Sequence, residues 1–244
     1  MRPIRRGTSP IAGDYQDYDK AKPELISRLG SYCSYCERRI ATQLSVEHIQ
    51  PKALPKYAHF EGRWTNFLLS CVNCNSTKYT KDFLFTDVLL PDRDNTFAAF
   101  TYLSDGTVQP SILASEKGLQ AVAQKTLELT GLHKEAINTP DINGKQVALD
   151  RVSQRQEVWA IAERQKSLIR TNPNNLGFRE CVIDNALANG FFSVWMTVFE
   201  DDTDILSRLI AAFPSTKNSG CFTENGLPLS PALNPDNLEH GGKL

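Results

Sequence analysis

The chain has 244 residues, a formal net charge of −1 and 41% hydrophobic residues, a composition typical of a soluble protein with a buried core and not of a disordered chain. No apolar run approaches the ~20 residues that a membrane helix needs, and the basic N-terminal residues are not followed by the apolar stretch of a signal peptide. The sequence therefore predicts a cytoplasmic protein with no membrane association.

Charge is distributed unevenly along the chain. Residues 1–90 contain 13 Lys and Arg against 9 Asp and Glu, whereas residues 91–244 contain 14 against 19. A basic portion joined to an acidic one suits a protein that contacts phosphates at one end and something else at the other.

Four of the six cysteines form two pairs with the spacing of metal knuckles. Cys33 and Cys36 stand in YCSYC, Cys71 and Cys74 stand in SCVNCN, and 34 residues separate the pairs. Disulfides are not expected in a reducing compartment, whereas two Cys-x-x-Cys pairs supply the four thiolates of a tetrahedral zinc site. The pattern predicts a structural Zn²⁺.

The segment between the cysteine pairs is long enough to contain structure of its own. Apolar neighbours favour a strand around Glu47 and His48, and strand alternation places these two side chains on opposite faces. A turn-rich stretch and a second apolar segment, NFLLS, follow before Cys71, and the polar residues after Cys74 predict a short exposed helix. The predicted order is knuckle, strand, loop, strand, knuckle, helix.

The stretches VEHIQPK, WTNFLLSC and CVNCNSTK together resemble the HNH endonuclease motif with its flanking zinc knuckles, over residues 33–81. The resemblance implies a ββα-metal core in which His48 is the general base and Asn66 ties the loop that positions it. Glu47 and Asn75 correspond to ligands of a catalytic divalent cation, Mg²⁺ or Mn²⁺, and Lys78 to a lysine that contacts phosphate in nucleic acid. Glu47 departs from the Asp that is commoner in the motif, which affects the expected metal preference.

These residue types also suit hydrolysis of a DNA phosphodiester on chemical grounds. A neutral imidazole takes a proton from water near pH 7, and a hard cation held by oxygen ligands polarises the phosphate. The alternative is a zinc-stabilised nucleic-acid-binding module without catalytic activity, which has no need to keep Glu47, His48 and Asn75 together. A purely structural subunit is a third interpretation, and it ignores the first third of the chain.

Beyond residue 90 the apolar pattern is mainly helical. The stripes predict helices over about 115–131, 151–170, 176–189 and 204–213. Ser115 is the expected N-cap of the first helix and Gly131 its end, while GFFSVWMTVF is expected to be buried as either helix or strand. This region contains no catalytic constellation, so we interpret it as helical support or as a docking surface.

The predicted fold class is α+β: a small zinc-stabilised ββα-metal core embedded in a mainly α-helical protein. We expect a basic N-terminal segment at 1–29, a nuclease core at 30–90 and a helical region at 91–244. The layout is similar to small HNH proteins of retron and Septu anti-phage systems through MRPIRRGTSP, ALDRVSQRQEVWAIAER and FFSVWMTVFEDDTDILSRLIAAFPST. That similarity implies antiviral defence and a partner ATPase that controls the nuclease.

Overall fold

A computed structural model describes residues 1–135, 142–144 and 150–244. Parts of the predicted helical region, residues 136–141 and 145–149, lie outside the described residues, including the first two residues of ALDRVSQRQEVWAIAER. The described residues form an α+β fold. Its helices and strands are α1 (Lys22–Leu29), β1 (Ser45–His48), β2 (Phe67–Ser70), α2 (Val72–Lys78), β3 (Phe100–Tyr102), β4 (Val108–Pro110), α3 (Ile112–Glu116), α4 (Gln120–Thr130), α5 (Arg151–Thr171), α6 (Leu176–Asn189), α7 (Phe192–Val198) and α8 (Thr203–Ala212).

The two strands β1 and β2 form an antiparallel pair that is followed directly by α2. Glu47 lies opposite Leu68 and His48 opposite Phe67 in this pair, and every residue of β2 is buried. The helix begins where Cys71 acts as its N-cap through the sulfur atom. The elements therefore follow one another in the predicted strand, strand, helix order.

The C-terminal helices agree closely with the apolar stripes in the sequence. Helices α5, α6 and α8 are found near their predicted bounds, and α5 packs against α6 and α7. Asp150 caps α5 by accepting hydrogen bonds from the backbone N–H groups of Val152 and Ser153, both at 2.8 Å. The stretch GFFSVWMTVF forms α7, which is buried along almost its whole length, and this explains its lack of periodicity.

The predicted single helix over 115–131 is wrong. Gly118 adopts a positive φ of 70°, so it separates α3 from α4. Ser115 lies inside α3, whose N-cap is Ser111 with its hydroxyl accepting from Ala114 N at 3.0 Å. Gly131 does end α4 as expected, in the left-handed conformation.

A hairpin in the helical region was absent from the sequence prediction. Strands β3 and β4 pair antiparallel, and Asp105 and Gly106 lie in the turn between them, with Gly106 at φ 79°. An Asp-Gly dipeptide between short β-prone runs is a known hairpin signal, so the hairpin could have been predicted from the sequence.

The basic residues near the N-terminus are largely structural. Arg2 and Arg6 are 3% and 2% exposed, and Arg6 donates to the carbonyl oxygen atoms of Thr65 and Phe67 and to Asp92 Oδ2. Burial alone raises the pKa of the Asp92 carboxyl, but the nearby guanidinium groups outweigh it and hold the pKa below its usual value. In the part of the chain that the structure describes, no helix is long and apolar enough to cross a membrane.

Candidate functional site

The four paired cysteines meet in one buried cluster. The sulfur atoms of Cys33, Cys36, Cys71 and Cys74 all lie within 4.8 Å of one another, and Cys36 Sγ is 3.7 Å from Cys71 Sγ. Tetrahedral zinc with Zn–S bonds of about 2.3 Å places its sulfur atoms about 3.8 Å apart. Donor type, number and spacing therefore fit a structural Zn²⁺ held by these four residues.

The first knuckle is anchored to the C-terminal helices by Glu37. Cys33 N donates to Arg38 O at 3.0 Å, and Glu37 turns the chain with φ 65°. The Glu37 carboxylate accepts from the backbone N–H of Ser193 at 2.7 Å and from its hydroxyl at 2.5 Å. A Cβ at Gly190 would stand 2.4 Å from Glu37 O, so only glycine allows α6 to end against the knuckle.

The second knuckle is contacted by Arg151, the first residue of α5. Its Nη1 donates to Cys74 Sγ and to Thr130 O, both at 3.0 Å, and its Nη2 donates to Gly131 O at 2.6 Å. Burial lowers the pKa of Arg151, but the neighbouring thiols, Cys74 first, raise it overall. Four thiolates around one Zn²⁺ would carry excess negative charge, which this guanidinium would partly balance.

His48 stands at the end of β1 with its ring orientation fixed. Its Nε2 lies 2.9 Å from Glu61 O, and the rings of Tyr18 and Phe67 meet it edge-on with centroids at 4.8 and 5.3 Å. Since a carbonyl only accepts, Nε2 carries the proton and Nδ1 keeps the lone pair. Burial lowers the pKa of His48 and outweighs the opposing hydrogen bond to Glu61, so the ring is neutral at pH 7.

Asn66 ties the loop between the strands to the end of β1. Its Oδ1 accepts from Gln50 N at 2.7 Å, and its Nδ2 donates to Gln50 O at 3.0 Å and to Phe60 O at 3.3 Å. Asn66 therefore joins the end of β1 to the loop whose Glu61 carbonyl contacts His48.

Lys78 forms a buried ion pair with Glu47. Each side chain is 2% exposed and Lys78 Nζ lies 2.8 Å from Glu47 Oε1; Nζ also donates to His48 O at 2.7 Å. The Glu47 carboxylate accepts further from Tyr35 and Ser70, at 3.2 and 3.3 Å. The sequence analysis assigned Lys78 a contact with phosphate, whereas in this structure its side chain is buried and compensates a carboxylate that would otherwise be unpaired.

Glu47, His48 and Asn75 line one cavity of 240 Å³. Asn75 is exposed. Carboxylate and amide oxygen atoms are ligands that hard cations prefer. Burial raises the pKa of Glu47, an effect that Lys78 opposes. Because both oxygens of this carboxylate accept hydrogen bonds and an ammonium already balances it, a divalent cation does not fit at Glu47 in this conformation.

Tyr18, Lys52 and Tyr79 also line this cavity, and the sequence analysis gave none of them a role. Lys52 Nζ is 2.6 Å from Glu61 Oε1 and 3.9 Å from the centroid of the Tyr18 ring. Lys52 is the last residue of VEHIQPK, so its closeness to His48 was a usable signal. Tyr18 lies 30 positions before His48, and nothing in the sequence connects the two.

The sequence of this site was compared with models of known protein families. Residues 33–81 match the HNH endonuclease family. The match spans both cysteine pairs, β1, β2 and α2, so the chain contains an HNH domain whose knuckles form the buried four-cysteine cluster. A search of curated proteins found no match to the chain.

Zinc content and zinc retention test the metal centre of the HNH domain. We expect about one zinc per chain and release to a chelating dye about 10-fold faster in Arg151→Met, because a residue that bonds a ligand sulfur stabilises the bound metal. Arg164→Met, which removes an exposed arginine from the same helix, is the control. Equal release rates in the two variants would contradict the contribution of Arg151, and a zinc-free folded protein would contradict the centre itself.

The Glu47–Lys78 pair is tested by a double-mutant cycle. Lys78→Met should lower the free energy of unfolding by about 3 kcal/mol, since it leaves a buried carboxylate uncompensated. The added change Glu47→Gln should restore part of this loss, as measured by urea denaturation at constant zinc. Lys56→Met, which breaks an exposed pair, should have no measurable effect. Additive effects of the two buried substitutions would rule out the coupling.

Proposed function

We propose that the protein is a nuclease that hydrolyses phosphodiester bonds in DNA, with His48 as the general base. The proposal rests mainly on one observation: the hydrogen bond from His48 Nε2 to Glu61 O leaves Nδ1 as the proton acceptor. A neutral, oriented imidazole beside a cavity is the arrangement that general-base catalysis requires. The match of residues 33–81 to HNH endonucleases supports the same reaction.

In this mechanism His48 removes a proton from a water molecule that attacks the phosphorus atom. The new bond joins the water oxygen to phosphorus, the bond from phosphorus to a sugar oxygen breaks, and the departing oxygen takes a proton from solvent. Lys52 lines the cavity and supplies positive charge next to the phosphate. We assign this role to Lys52, whose ion pair with Glu61 is exposed to solvent, and not to Lys78, whose ammonium is buried against Glu47.

The sequence assigns a second charge-stabilising role to Mg²⁺ or Mn²⁺ at Glu47 and Asn75. Because Glu47 is already balanced by Lys78, no step of the mechanism above passes through a cation. Cleavage is therefore assayed in parallel with chelator, with Mg²⁺ and with Mn²⁺, and the requirement for His48 is expected in whichever condition supports cutting.

The zinc-stabilised binding module without catalytic activity is the second candidate. The neutralised Glu47 favours it, because a protein that only binds nucleic acid has no need for a free carboxylate in its cavity. Both candidates would use the zinc centre and the cavity lysine, so DNA binding alone does not distinguish them. Cleavage of DNA that depends on His48 would be observed only for the nuclease.

His48→Ala should lower the cleavage rate of plasmid DNA by roughly 10²- to 10⁴-fold, because the base is lost. DNA binding and zinc content should stay unchanged. Since the pKa of His48 lies below its usual value of about 6.5, the wild-type rate should reach its plateau by neutral pH and fall only in acid.

His59→Ala, at an exposed histidine in the segment between β1 and β2, is the matched control and should cut normally. Wild-type cleavage by His48→Ala would remove the proposed base. Binding without cleavage in every metal condition would leave the module without catalytic activity as the function.

We further propose that the nuclease works in the cytoplasm as an effector of anti-phage defence, held in check by a partner ATPase. Support comes from the resemblance to retron and Septu proteins and from exposed apolar side chains at Leu168 and Leu176 in the helical region, 50% and 62% exposed.

When this protein is co-expressed with an ATPase encoded beside it, we expect the two proteins to co-elute from a size-exclusion column and Leu168→Asp to abolish the co-elution. Ile112→Asp, at another exposed apolar position, should not. Separate elution would contradict the partnership.

A further inference from the structure

Tyr79 ends α2 in a backbone conformation that L-residues rarely adopt. Its φ and ψ are 45° and −125°, a combination that glycine tolerates and that strains a residue with a Cβ. The same chain places glycine with positive φ at the ends of three other helices, at Gly30, Gly131 and Gly190. A tyrosine at this helix end therefore works against the backbone preference.

The Tyr79 side chain does not contribute visibly to folding. It is 74% exposed, and among the described residues its ring makes no aromatic, cation–π or hydrogen-bond contact. It does line the cavity of His48 and Asn75. A strained residue with an unused aromatic ring at the mouth of a reactive cavity indicates a ligand for that ring.

We propose that an unpaired base of the nucleic-acid substrate stacks on Tyr79 while the adjoining phosphodiester enters the cavity. This inference rests on the proposed function. Tyr79 borders the cavity while most of its side chain is exposed, so a base stacked on the ring would lie outside the cavity and the adjoining phosphate would enter it. An exposed tyrosine offers that base a stacking surface for any sequence.

The proposal defines the substrate class. In an intact duplex each base is already stacked between its neighbours, whereas a single strand or a locally unpaired region presents free base faces. The site should therefore prefer single-stranded or locally opened nucleic acid over blunt duplex. A docked protein is the competing ligand for Tyr79, and the experiment below distinguishes it.

Tyr79→Gly separates recognition from folding, because it removes the ring and the backbone strain together. Binding is measured in the His48→Ala variant, so that the DNA is not cleaved. We expect this protein to bind single-stranded DNA more tightly than duplex DNA. The added change Tyr79→Gly should weaken binding of the single strand roughly 10-fold without lowering the melting temperature of the protein. Tyr79→Phe should bind like Tyr79, since it keeps the ring. Val72→Ala, at a 59% exposed residue at the other end of α2, is the control. Fluorescence anisotropy of labelled strands measures the affinity.

An abasic strand is the matched ligand control, because the difference between Tyr79 and Tyr79→Gly should vanish when no base can stack. Equal affinity of Tyr79→Gly and Tyr79 for single strands would overturn the proposal and favour a protein ligand for the ring. A wild-type chain that cuts DNA while Tyr79→Gly binds normally refutes only this inference. A chain whose binding depends on Tyr79 but which never cuts refutes only the nuclease. Absence of any binding refutes both.

Discussion

Four buried sulfur atoms that face one another within 4.8 Å set the main electrostatic constraint on this protein. Four sulfur atoms at that separation would repel one another as thiolates, so a bound cation would hold the two knuckles together. The helical region supplies the remaining contacts: Glu37 of the first knuckle is bonded by Ser193, and Cys74 of the second by Arg151. The HNH domain and the helices are therefore joined through buried polar contacts at the metal centre, in addition to apolar packing.

The parts of the fold that the sequence predicted are those with local signals. Helix α5 was predicted from its apolar stripe, and the spacing of the cysteines predicted that the four of them lie together. Gly118 was overlooked as a helix break and Gly106 as part of a hairpin turn, although both positions carry a recognised sequence signal. The burial of Lys78 had no such signal, because its partner Glu47 lies 31 residues earlier in the chain.

The excess of positive charge in the first 90 residues overstates the basic surface. Arg2, Arg6 and Lys78 are each at most 3% exposed and bond to carbonyl or carboxylate oxygen atoms inside the protein. Net charge is a poor guide to the electrostatic potential at the surface when arginine and lysine side chains are buried as hydrogen-bond donors. Attraction of phosphate to the cavity is therefore expected from Lys52, and the net charge of the first 90 residues does not by itself indicate a general basic face.

The ion pair between Glu47 and Lys78 also contributes to the position of His48. A buried ion pair contributes less to stability than its Coulomb attraction suggests, but it fixes the geometry of the groups around it. Lys78 links the Glu47 carboxylate to the His48 carbonyl, Glu61 O orients the imidazole, and Asn66 fixes the loop that carries Glu61. The position of His48 is thus set by contacts formed on folding. A cation at Glu47 would have to displace Lys78 and would thereby break the link to the His48 backbone, which is a further physical reason why this conformation does not accept one.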